Sequence, residues 1–88
     1  MARELSARFV AALYAATKGR PGQLRSIGDC AARAEIRVAR DVDLAVHAAE
    51  VAGLIVVLDD PMVMLTAKGR AAAEAGKASR ALKRHAPA

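Results

Sequence analysis

Cysteine, aromatic rings and long apolar runs are all scarce in this chain of 88 residues. Cys30 is the single cysteine, so no disulfide can close within the chain, and a reducing, cytoplasmic setting is expected. Tryptophan is absent and the aromatics are Phe9 and Tyr14 alone. A core must therefore come from alanine, valine, leucine, isoleucine and methionine. A domain this small buries only a little over ~60% of its unfolded surface, so self-association is an expected supplement. The longest apolar run, Val51 to Leu58, falls well short of the ~18 residues that suggest a membrane span. Arg3, Glu4 and Arg8 interrupt every apolar window near the start, so no secretory leader is expected either.

Catalytic groupings are missing as well. No glycine-rich phosphate loop follows a strand pattern, and no serine or cysteine is placed with a base. His47, His85 and Cys30 do not have metal-ligand spacing. An enzyme is not expected, nor a cofactor or a metal. Acidic charge is the minority: 14 Lys and Arg stand against 9 Asp and Glu, a net charge of +5. That excess favours a polyanionic partner, nucleic acid first, although it would also serve solubility.

What is present is a succession of short periodic segments read as one domain over residues 1–88. "ELSARFVAALYAATKG" sets Leu5, Phe9, Ala12, Leu13 and Ala16 on one helical face, with Val10 and Tyr14 on the opposite side as a candidate subunit contact. Gly19, Pro21 and Gly22 stop it. "LRSIGDCAARAEI" repeats the spacing with Leu24, Ile27, Ala31 and Ala34, predicting a second helix. In "RVARDVDLAVHAAEVAG", Val38, Val42, Ala45, Val46, Ala49 and Ala52 make the third, which Gly53 ends. Leu54–Leu58 and Met62–Leu65 flank Asp59-Asp60-Pro61 as a β-hairpin, apolar on both faces. The acids and proline turn it and guard its edges. Thr66 is the expected N-cap of a last helix whose apolar stripe is Ala71, Ala75, Ala78 and Leu82. Lys77, Arg80, Lys83 and Arg84 lie on its other side, and fraying is expected over about 85–88.

The fold class expected is therefore mainly α with a small β-hairpin. In that order, with "HAAEVAGLIVVL" followed by "MLTAKGRAAA", the chain resembles the winged helix-turn-helix of MarR-like and PadR-like bacterial transcriptional regulators. Leu65, Thr66, Gly69 and Arg70 match the Leu-Thr-x-x-Gly-Arg that commonly closes the second wing strand there. The resemblance covers roughly residues 5–75 and implies three helices, a two-stranded wing and a C-terminal helix. It further implies a homodimer that binds duplex DNA, with the third helix as recognition helix.

On that reading Arg37, Arg40 and His47 enter the major groove, and Lys18, Arg20 and Arg25 hold the phosphate backbone. Leu44 and Val51 share the outer side of the third helix with the arginines. They point instead to a rival, a winged-helix module that binds a protein and no DNA. The wing's Asp59 and Asp60 favour that rival, because phosphates repel them. Val10, Tyr14 and Leu82 complete the expected partner interface, the homodimer using the first and last helices.

Overall fold

The computed structural model describes residues 2–59 and 61–85, with side chains as far as residue 76 in the last helix. Among them the elements run α1 (Ala2–Thr17), β1 (Leu24–Ser26), α2 (Ile27–Arg33), α3 (Ala39–Val51), β2 (Ile55–Leu58), β3 (Met62–Leu65) and α4 (Ala67–His85). The molecule is mainly helical, with a small antiparallel sheet in the order β1-β3-β2. The frayed end expected at about 85–88 lies, beyond His85, outside the described residues.

One strand corrects the sequence reading. Leu24 belongs to β1, where it pairs with Met64, while Arg25 pairs with Val63 and Ser26 with Met62. Helix α2 starts only at Ile27, capped by the Ser26 hydroxyl, which accepts a 2.9 Å bond from the Asp29 N–H. Leu24 and Ile27 are three residues apart, a spacing that fits a helix face. Three residues of strand contain too little alternation to overrule it.

Three helices end in the same way. After α1, α2 and α3 a residue in the left-handed region reverses the chain: Lys18 (φ 54°), Glu35 (φ 58°) and Gly53 (φ 77°). Each time the paired bonds of a Schellman motif close the last turn. The bonds are Lys18 to Ala15 with Gly19 to Tyr14, Glu35 to Ala32 with Ile36 to Ala31, and Gly53 to Glu50 with Leu54 to Ala49. Only the third position is glycine; the stop after α1 was also legible, from Gly19, Pro21 and Gly22, whereas the stop after α2 carries no such signal. The Arg8 guanidinium adds bonds to the carbonyls of Ala34 and Glu35, which ties the end of α2 to α1.

The core is the expected small one. Phe9 and Leu13 of α1, Cys30 of α2, Ala45 and Ala49 of α3, and Ile55, Val63 and Leu65 of the sheet are all buried. Helix α1 runs through the middle, packed most extensively on α3 and also on α2, α4 and the sheet. Val10 must therefore be moved: it is 3% exposed and belongs to this core, because α1 is covered on more than one side. Tyr14 is half-buried, and its hydroxyl donates to Glu74 Oε2 of α4 at 3.1 Å. Val10 serves packing within the chain, whereas Tyr14 joins α1 to α4 and keeps part of its surface exposed.

Helix α4 is fastened where Gly53 and Leu54 leave α3. The Thr66 hydroxyl accepts from the Gly69 N–H (2.9 Å) and donates to the Gly53 carbonyl (2.7 Å), so the expected N-cap is present and does double duty. The Thr66 N–H reaches the Leu54 carbonyl at 3.1 Å. A methyl group added at Gly69 would sit 2.0 Å from that same carbonyl oxygen. Glycine is what lets the first turn of α4 approach. As a result the inward side of α4 is buried Gly69 with half-buried Ala73 and Gly76, whereas Ala71 and Ala75 of the expected stripe are exposed. The side chains of Ala78 and Leu82 lie outside those described.

Candidate nucleic-acid interface

The outer side of α3 is built by what its inner side buries. Ala45 and Ala49 have no exposed surface, and α3 turns about 100° per residue. The opposite side therefore carries Arg40, Leu44, His47 and Val51, with Arg37 just before the helix. All five are exposed, Leu44 by 43% and Val51 by 73%. Ile36, 5% exposed, anchors the segment from which Arg37 projects. Exposed Asp43 and Glu50 border one side of this stripe, and half-buried Asp41 the other.

Charge is free to act here. Among the described residues the side chains of Arg37, Arg40 and His47 engage in no hydrogen bond or ion pair; the salt bridge there is Arg70–Glu74 on α4, at 3.5 Å. The three cations placed on the first loop divide. Lys18 and Arg20 are exposed and uncommitted. Arg25 is half-buried in β1, and its guanidinium donates to the carbonyls of Leu24 (2.7 Å) and Ala16 (3.2 Å) and to Gln23 Oε1 (3.1 Å). It fastens the end of α1 to the sheet, and three acceptors already occupy it. Three of its five N–H donors are thereby engaged within the chain, which leaves fewer for the phosphate contact expected of it.

The structure also brings together a surface that the sequence reading divided. On the outer face of the sheet Leu24, Met64 and Val56 form one row across the three strands, and Ser26, Met62 and Leu58 the next. Five of these six are apolar, and Leu24, Val56 and Leu58 are exposed by 46%, 39% and 39%. Leu24 was hidden from this face by its assignment to α2. The turn beyond it holds Asp59 at φ 40°; Asp60 lies outside the described residues.

A cleft of about 520 Å³ opens between α1, the end of α3 and α4, lined mostly by small and apolar residues such as Val10, Ala48, Leu54 and Ala73, together with Arg3 and Ser6. Cys30 is fully buried, and burial, with Asp29 adding to it, pushes its thiol up to about 11; the neutral thiol is a packing group. Among the described residues no three His, Cys, Asp or Glu side chains gather as a metal site would need. No described helix is long and apolar enough to cross a membrane. In comparison with known proteins, the chain matches no family model, no curated protein and no solved structure.

Proposed function

We propose that the chain is a winged helix-turn-helix protein of the cytoplasm that binds duplex DNA through the outer side of α3 and regulates transcription. The observation that carries this reading is the set of uncommitted cations on that side, with Arg37 and Arg40 at the start of the helix. A helix-turn-helix addresses base edges from that end of its second helix. The element order and the β1-β3-β2 sheet accord with a winged helix in which β2 and β3 are the wing. Arg40 and Arg37 reach bases, His47 follows about two turns after Arg40, and Lys18 and Arg20 hold phosphates. The wing, with acids at its turn, takes no part in phosphate binding.

Pairing of two copies is part of the proposal. Helix α4 has 19 residues, a length of about 28 Å. The molecule is 46 Å long but only 26 and 20 Å across. A small-residue cleft beside α4 admits a second helix at close range. The test of the DNA reading is anisotropy of a labelled duplex: Arg37→Ala and Arg40→Ala should each cost about 1–3 kcal/mol of binding if the side chain reads a base. Unchanged affinity in both variants contradicts it.

A second reading, a winged-helix module for a protein partner, is favoured by the exposed apolar groups: Leu44 and Val51 on α3, and the five on the sheet. Under it Val51→Ser or Val56→Ser abolishes partner capture, while the arginine variants do not.

A further inference from the structure

Leu44 lies on the outer stripe of α3, one turn after Arg40 and one before His47, on the edge of the stripe that faces Asp41, and is 43% exposed while Ala45 and Ala49 are buried. A leucine side chain has no donor or acceptor. In a major groove it gains only from apolar surface, and the apolar group that base edges present there is the thymine C5-methyl. Arg40 carries the planar fork that matches guanine O6 and N7.

Geometry adds a spacing. Four residues of helix advance about 6 Å, and stacked base pairs about 3.4 Å, so the two side chains address positions one or two base pairs apart. Val51 is about 16 Å along the axis from Arg40. For a helix entering by its N-terminal end, that places Val51 beyond the ~12 Å width of the groove. Asp43 on one flank and Asp41 on the other penalise any tilt that lays a side of α3 against phosphates. The line from Arg40 to Leu44 is thereby kept toward the groove floor.

We infer that Leu44 is a specificity-determining residue that reads the methyl group of a thymine one or two base pairs from a guanine held by Arg40. The inference rests on the DNA reading above and goes further by naming the base. It requires every preferred site to contain that thymine, and it assigns to DNA an apolar residue that the rival reading gives to a protein.

The experiment begins by selecting duplexes from a random pool with the intact chain. Each thymine of the selected site is then replaced in turn by deoxyuracil, which pairs identically but lacks the methyl. One replacement, within two base pairs of the guanine whose change Arg40→Ala ignores, should weaken binding about fourfold, the worth of one buried methyl. Leu44→Ala, checked for fold by circular dichroism, should bind the thymine and uracil duplexes equally. Equal affinity of the parent chain for all the uracil duplexes overturns the inference while leaving DNA binding intact. So does a selected site with no thymine in that window, or a loss that persists in Leu44→Ala. A pool from which nothing is enriched overturns the DNA reading, and the inference with it.

Discussion

At Gly69 the space for one methyl group decides how two helices meet. A Cβ there would press to 2.0 Å on the Leu54 carbonyl oxygen, a backbone atom that cannot swing aside. Gly69→Ala should therefore cost at least the ~1–3 kcal/mol typical of overpacking, by separating α4 from the end of α3. Gly76, in the same helix, has nothing within 4 Å of a built Cβ. Gly76→Ala should stabilise by about 0.5–1 kcal/mol through helix propensity. Urea melts of the two variants, opposite in sign, check the placement of α4. Cys30 gives a second test at this scale. Its thiol ionises near 9.0 when unconstrained and at about 11 when buried. The folded state thus holds the proton more tightly: this contribution is complete below pH 9 and is lost as pH climbs toward 11. Half-buried Tyr14, raised by burial and by its bond to Glu74, acts in the same direction. The difference between the parent chain and Cys30→Ala isolates the thiol. Cys30→Ala should be less stable at pH 8, and its urea midpoint should fall less between pH 9 and pH 11.

Elements differ in how strongly their own residues declare them. At the ends of α1 and α2, Lys18 and Glu35 hold left-handed conformations that cost an L-residue about 1–2 kcal/mol. Lys18→Gly and Glu35→Gly should each raise the melting temperature, less than that cost implies because glycine also loosens the unfolded chain; a fall in either variant contradicts the assigned turn. Gly53 announces the end of α3 by its identity, and Thr66 the start of α4 by its hydroxyl, so both were readable in advance. The hairpin was readable from its β-branched runs and from Asp59 and Pro61. Strand β1 was not, since it exists only through its pairing with β3, a partner some 40 residues away in sequence. Val10 was misplaced because a single helical face was assumed for α1, whereas α3, α4 and the sheet surround it. In an alanine-rich helix such as α4, periodicity is weak, and close backbone approach at Gly69 chose the inner face. For the candidate site, the outer stripe of α3 followed directly from helical spacing, while the engagement of Arg25 depended on where the chain turns after α1.

For the molecule as a whole, a thin core with few aromatics and an exposed apolar sheet face favour association. Light scattering at high concentration should give the mass of two chains, and the mass of one chain would remove the paired-subunit part of the proposal. The proposed function rests on charge: in a chain of net +5, Arg40 of α3 and Arg37 just before it are proposed to meet a polyanion. Its most direct test is the affinity of the intact chain for a random-sequence duplex across a salt series beginning near 50 mM, measured beside Arg40→Ala. Each phosphate neutralised releases counterion, so log affinity should fall linearly with log salt at a slope of about −0.9 per contact. Arg40→Ala should bind more weakly throughout. Absence of duplex binding at the lowest salt, or binding that Arg40→Ala leaves unchanged, would contradict the account.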